Sequence, residues 1–287
     1  METIKTDLPL AFDRPRITRE IADYWNRTSR AWQTIWGPHI HHGYFEHHRE
    51  TPVEAQEKLI EKLLALLAIS PQATILDVGC GMGGSSLYLA KNYHATVTGI
   101  TLSQKQVDMA TRLAGQGHIE NVTFKVEDAL SMASFADNSF DVVWSLESCE
   151  QFYDKPMFIR QAFRVLKPGG RLMLATWCSG ADEYAGRQAK QYRELCVALQ
   201  LPYMPTINRY ATLLQRQGFV VGQILDWSAN VKETWTVGLA SLRTYSFFAI
   251  FRMSGWRGLL FASQGRLMQQ AFNQDRVKYG VLVADKP

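Results

Sequence analysis

The feature that most constrains this chain is a run of apolar strands alternating with amphipathic helices, opened by the glycine-rich turn LDVGCGMGGSS at residues 76–86. ATILDVG reads as a buried strand, SSLYLAKNY as a helix, ATVTGIT as a strand and SQKQVDMATRLAGQ as a helix. VTFKVED and FDVVWSLE follow as strands, PMFIRQAFRVL as a helix, KPGG as a turn and RLMLATW as a strand. GFVVGQILDW and YGVLVAD supply two late strands. Strands that alternate with helices are joined by crossovers, which gives a mostly parallel sheet covered on both faces. The expected fold is therefore α/β: a doubly wound, mostly parallel, seven-stranded Rossmann-like sheet with an N-terminal helical lid and a helical cap.

The flanks divide accordingly. A helix is expected from about Ile17 to Trp36, then the breaker Gly37-Pro38 and a histidine-rich loop. Thr51-Pro52 opens a long helix in which Leu59, Leu63, Leu66 and Leu67 keep helical spacing. Residues 1–70 read as helices and lid loop, 71–180 as the ligand-binding core, and 181–287 as a cap that includes the last two strands. Open α/β sheets bind ligands at the carboxyl ends of their strands, beneath such a cap.

Composition narrows the function. A chain of 287 residues, 46% hydrophobic and 20% charged, is an ordinary globular protein. Its net charge of +4 is dispersed, with no basic block interleaved with aromatics, so no nucleic-acid partner is expected. No apolar run reaches the ~20 residues of a bilayer span, and METIKTDLPLAFDRPR has no secretory apolar region. Cys80, Cys149, Cys178 and Cys196 form no C-x-x-C pair. Reduced thiols and a cytoplasmic location are expected. The histidine loop (His39, His41, His42, His47, His48) has no cysteine beside it and only Glu46 and Glu50 as local acids, so no metal is expected.

Gly79, Gly81 and Gly84 fit G-x-G-x-x-G, a pattern shared by nicotinamide enzymes and other adenosine binders. Both uses need a tight turn and a free helix N-terminus. A nicotinamide site also needs an acid ~20 residues on for the ribose hydroxyls, where this chain has Gly99-Ile100-Thr101-Leu102-Ser103. It has instead Asp77, two residues before the first glycine. That carboxylate would repel a pyrophosphate but suits a ligand carrying an ammonium and a sulfonium, namely S-adenosyl-L-methionine. A nicotinamide-dependent oxidoreductase is thus the weaker alternative.

LDVGCG, VEDAL, FDVVWS and LKPGGRL, in this order, resemble the motif set of class I S-adenosylmethionine-dependent methyltransferases. YWNRTSRAWQTIWGPHIHHGYF, GGSSLYLAKNYHATVTGITLSQKQVDMA, WSLESCEQF, LMLATWC, LDWSANVKETW and VKYGVLVADKP are similar to the tocopherol methyltransferase group, itself related to sterol, sarcosine and mycolic-acid-modifying enzymes. The resemblance covers nearly the whole chain from Tyr24. It implies cofactor contacts from Tyr24, Asp77, Gly79, Gly81, Gly83, Thr101, Leu102, Gln106, Asp128, Ala129, Ser145 and Glu147. In this group Thr101-Leu102-Ser103 replaces the missing acid on the adenosine side, and Asp128 accepts from the adenine amino group.

The resemblance also makes the histidine loop a lid, with Tyr24 and Trp36 closing over the methionine end and His39 or His42 reaching the acceptor. Glu147 is assigned to the methionine end and Glu150 to the acceptor side. Relatives often carry His where this chain has Gln151, which cannot act as a base. Catalysis is therefore expected from Glu150, His39 and His42, and acceptor contact from Trp36, Tyr44, Trp227 and Phe247. The implied activity is methylation of a lipophilic aromatic or isoprenoid small molecule, foremost a prenylated phenol or quinol. The alternative is N- or C-methylation of an indole alkaloid or terpenoid, optionally coupled to cyclisation. The basic, aromatic stretch LRTYSFFAIFRMSGWRGLLFASQGRL points either to a specialised acceptor or to peripheral contact with a membrane surface.

Overall fold

The computed structural model describes residues 2–10, 13–47, 49–242 and 256–287. Its centre is a seven-stranded sheet of β2 (Thr74–Val78), β3 (Thr96–Thr101), β4 (Val122–Val126), β5 (Phe140–Leu146), β6 (Leu166–Ser179), β8 (Val220–Asp226) and β9 (Val277–Asp285) in the order β4-β3-β2-β5-β6-β9-β8. All pairs from β4 to β6 are parallel, whereas β9 runs antiparallel to both β6 and β8. The expected seven strands are present. Lys167-Pro168-Gly169-Gly170, expected as a turn before the strand, is absorbed into β6 as an irregularity: the register with β5 jumps from Phe140↔Leu166 to Val142↔Arg171. Gly169 there takes φ +76°, which glycine adopts without steric cost.

The strands feed α3 (Gly84–Tyr93), α4 (Gln104–Gln116), α5 (Lys155–Val165), α6 (Gly186–Ala198) and α7 (Ile207–Gln217). N-terminal to the sheet lie α1 (Arg14–Trp36) and α2 (Pro52–Ala65); between β8 and β9 lie α8 (Ser228–Val231), α9 (Glu233–Leu242) and α10 (Trp256–Asn273). α2 begins where its sequence demands, with Thr51 and Glu54 forming a reciprocal capping box and Pro52 at the first turn. Its Leu59, Ile60 and Leu63 are fully buried, each contributing about 1.5–3 kcal/mol of burial. One element escapes sequence reasoning. β1 (Thr3–Lys5) pairs antiparallel with β7 (Glu183–Ala185), strapping the N-terminus across the base of α6. Three residues have no readable periodicity, and their partner lies about 180 positions away.

α1 crosses the carboxyl ends of the strands and is tied there: Asn26 Oδ1 accepts from Ser103 Oγ at 2.7 Å and from the Lys105 N–H at 3.1 Å, at the start of α4. The loop 37–47 returns beneath α1 toward α2. Phe247, with residues 243–255 of the basic, aromatic cap stretch, lies outside the described residues.

Candidate active site

Two cavities meet under α1. The first, about 1040 Å³, is lined by the carboxyl ends of β2 to β5 and by the glycine turn. The second, about 1240 Å³, lies between α1, the loop, α6 and α9. Trp25, Ile40, His41, Glu147 and Gln151 line both and form the wall between them.

The first cavity holds Asp77, Gly79, Gly81, Thr101, Leu102, Gln106, Asp128, Ala129 and Glu147, as expected from the sequence. Gly79 has φ +80°, and a Cβ there would lie 2.2 Å from Ser148 Cβ, so only glycine fits the turn. Gly81 has φ +53°, and a Cβ there would point across the cavity toward Ile40 and Gln106 at 3.8 and 4.0 Å. Asp77 is 2% exposed. Its carboxylate accepts from Ser86 Oγ at 2.6 Å, yet burial pushes its pKa up to about 7. A cation beside it would reverse that shift. Thr101 Oγ1 donates to Gln106 Oε1 at 2.6 Å, which fixes the amide at the end of β3. A glycine-walled cavity with one under-compensated buried carboxylate and no acid after β3 fits an adenosyl sulfonium and not a pyrophosphate.

Several expected contacts fall elsewhere. Gly83 does not line the cavity; a Cβ on it would strike Phe124 and Ala110 at 2.8–3.0 Å, so this glycine serves helix–sheet packing. Gly84 and Ser85 line the cavity instead. Ser145 is buried behind the turn, bonded to Ser148 Oγ at 3.0 Å, while Ser148 Oγ donates to the Val78 carbonyl. Tyr24 lines the second cavity rather than the first. His39 lines the first cavity, not the acceptor side. Burial, then the neighbouring His41, lowers its pKa to about 3, so it stays neutral.

Glu147 carries a contact set that the sequence does not show. It lies between the cavities at φ +49°, but its carboxylate is already occupied. Oε1 accepts from the His42 N–H and from Tyr279 Oη, each at 2.8 Å, and Oε2 pairs with His42 Nδ1 at 2.7 Å. Burial pushes this carboxyl up, but His42 and its hydrogen bonds outweigh burial and hold it below the ordinary carboxylate value. Glu147 thus latches the loop to β5 and β9 while lining the first cavity. His42 sits inside a ring of Trp177, Trp235, Phe272 and Tyr279, at 5.2–5.8 Å between centroids. His41 Nδ1 donates to the His42 carbonyl at 2.8 Å, and burial lowers its pKa.

The second cavity is walled by indoles. Trp25, Trp32, Trp36, Trp235 and Trp177 form a chain with successive centroids 5.8–6.1 Å apart. Glu150 lines it, 2% exposed, and Oε2 accepts from Thr176 Oγ1 at 2.7 Å. Burial, then the charge of Glu147, pushes the Glu150 pKa up to about 8. Trp25 Nε1 donates to Gln151 Oε1 at 3.0 Å, so Gln151 is a structural tie between α1 and the turn after β5. Trp36 lines this cavity, as expected. Tyr44 and Trp227 do not: they stack edge-on against each other at 5.2 Å, apart from both cavities. Trp25 and Trp32 share the α1 face of Trp36 at spacings of seven and four, a signal present in the sequence. Trp177, His41 and Trp235 carry no comparable local signal. Among the described residues no group of three or more His, Cys, Asp or Glu side chains is arranged to hold a metal ion.

Residues 69–232 match the family model described as a methyltransferase domain. The chain is 33% identical to the chloroplastic tocopherol O-methyltransferase of Arabidopsis thaliana, over 94% of this chain and 83% of that one. It is 37% identical to the 2-methyl-6-phytyl-1,4-hydroquinone methyltransferase of Synechocystis, over 70% of this chain and 65% of that one. In structure it is similar to the cyclase SpnF, with a TM-score of 0.82 and 23% identity over 98% of each chain. With the glycine turn, the buried Asp77 and the sheet order already in place, the protein belongs to the tocopherol O-methyltransferase-like group of class I methyltransferases and uses S-adenosyl-L-methionine as its cofactor.

Proposed function

We propose that the protein methylates a lipophilic ring acceptor, a prenylated phenol or quinol, with Glu150 as the group that takes the acceptor's proton. The observation that carries this reading is the second cavity. Five tryptophans and Tyr24 line it, two carboxylates reach it, and neither Lys nor Arg is among its described lining residues. Indole faces bury apolar ring and chain surface, and a cavity without cations does not favour an anionic acceptor. Its wall with the cofactor cavity is one residue thick at Glu147 and His41, which suits an acceptor approaching the methyl donor in line. The relatives named above act on compounds of this type by their names, which supports the same class.

When bound, S-adenosyl-L-methionine supplies an electrophilic methyl carbon. The chain's residues do the rest. A phenol is a weak nucleophile near neutrality until it loses its proton. Glu150 takes that proton when it is itself ionised, and its raised pKa brings it closer to that of a phenol. Asp77 would hold the cationic end of the donor, and Thr101, Leu102, Asp128 and Ala129 its adenosine end. α1 and the loop, latched by His42 to Glu147, keep water from the wall between the cavities. A lipophilic acceptor is drawn from a bilayer, so the enzyme works at a membrane surface while loading. No helix among the described residues is long and apolar enough to cross one.

A second reading rests on the same indoles. Their faces stabilise positive charge, which suits N-methylation of an indole alkaloid or C-methylation of a terpenoid. Incubation with methyl-labelled S-adenosylmethionine and a panel of γ-tocopherol, methyl-phytyl-quinol, indole alkaloids and terpenoids, read by mass spectrometry, separates the two. Label on a quinol supports the first reading. Label only on an alkaloid or terpenoid replaces it with the second.

A further inference from the structure

Lys155 opens α5 and is 0% exposed. Burying an ammonium is costly unless it is paired, yet its partners are neutral. Nζ donates to the carbonyls of Phe152 at 2.9 Å and Glu150 at 3.2 Å, and lies 3.8 Å from the centroid of the Tyr203 ring. Those carbonyls belong to the middle of the 3-10 turn Cys149–Gln151 and to Phe152, the residue that ends it. The turn closes through Gln151 N–H to Ser148 and Phe152 N–H to Cys149. The carbonyls of its last residues have no partner within the turn, and one amine satisfies both. The Lys155 backbone N–H in turn donates to Tyr203 Oη at 3.3 Å. Lys155 lines neither cavity.

We propose that Lys155 is a positioning residue for methyl transfer: its amine clamps the turn that presents Glu150 and Gln151 to the acceptor cavity, and its charge, beside the Thr176 hydrogen bond, favours the ionised form of Glu150 there. The inference rests on the reading of Glu150 as the proton acceptor. Of the groups that bear on Glu150, Lys155 brings the positive charge, Thr176 a hydrogen bond, and Tyr279 a phenol that burial keeps neutral. Glu147 repels Glu150. Burial pushes the thiols of Cys149 and Cys196 up to about 12 and that of Cys178 well above its ordinary value. Burial likewise raises the phenols of Tyr203 and Tyr210, so all five stay neutral near pH 8. Burial brings Lys155 itself down to about 8, while the neighbouring Glu150 carboxylate opposes that fall.

The test compares the full-length enzyme with Lys155→Met and Lys155→Gln, measuring turnover against pH and S-adenosylhomocysteine affinity by titration. Lys155→Met removes clamp and charge. Its maximal rate should fall about tenfold and its pH inflection should move up by ~1 unit, because an opposing charge is lost. Cofactor affinity should stay unchanged. Lys155→Gln keeps a donor to the carbonyls without the charge, so its maximal rate should recover while its inflection stays displaced. A wild-type inflection in both variants overturns the proposal. Should neither variant fold, carbon-13 lysine resonances of the wild type and of Glu150→Gln decide. One buried amine should titrate at lower pH once the carboxylate is gone, and an unmoved midpoint overturns the coupling. If the inflection persists in Glu150→Gln, the reading of Glu150 fails; if it vanishes there but is untouched in the Lys155 variants, only the role of Lys155 fails.

Discussion

Glu150→Gln is the most informative single change. The carboxyl is buried, accepts one hydrogen bond from Thr176 Oγ1, and has its pKa raised to about 8 by burial and by Glu147. With that value about one-tenth of the enzyme carries ionised Glu150 at pH 7, and half at pH ~8. The rate of the methyl-transfer step should therefore rise about tenfold per pH unit below pH ~7 and level off above ~9. Glutamine is nearly isosteric and can still accept from Thr176, but cannot take a proton. The variant should lose roughly 10²–10⁴-fold in rate and show a flat profile over the same range. Single-turnover mixing with methyl-labelled S-adenosylmethionine isolates the chemical step from product release. S-adenosylhomocysteine affinity serves as the control and should be unchanged. A flat wild-type profile, or the same inflection in Glu150→Gln, refutes the assignment.

The same shift has a stability consequence. Because the folded pKa lies above the unfolded one, Glu150 favours folding at low pH, and this is lost as pH rises from ~4.5 to ~8. The stability gained by Glu150→Gln over wild type should then grow across that window, by up to roughly 5 kcal/mol, in urea titrations at several pH values. Gly81→Val should abolish cofactor binding in an isothermal titration, because its side chain would enter the cavity between Ile40 and Gln106 at a positive φ; retained affinity would mean that the cofactor lies elsewhere. Tyr279→Phe removes one of three hydrogen bonds to Glu147 and should cost about 1.5–3 kcal/mol in thermal or urea unfolding. Gly238→Ala would put a Cβ 2.2 Å from the Trp36 ring. It should raise the acceptor KM with little change in cofactor affinity, and an unchanged KM would free Trp36 from the acceptor wall.

Much of the fold was legible because its causes are local. The capping box Thr51–Glu54, the glycine turn after β2 and the strand–helix alternation each depend on residues within a few positions of one another. The gathering of Asp77, Gly79, Gly81 and Asp128 around one cavity was readable for the same reason: they sit at strand ends whose order follows from the crossovers. Tertiary structure decided the rest. Which glycine faces the cavity and which packs on Phe124 depends on α4 and β4: Gly79 and Gly81 line the cavity, whereas Gly83 packs inward. Glu147 is claimed by His42, 105 residues away, and by Tyr279, 132 away. The wall of the second cavity joins α1, β6 and α9 through five indoles that only the folded packing brings into line. Periodicity reports which face of an element is buried; it carries no information about the partner across the core, and a buried carboxylate takes its role from that partner.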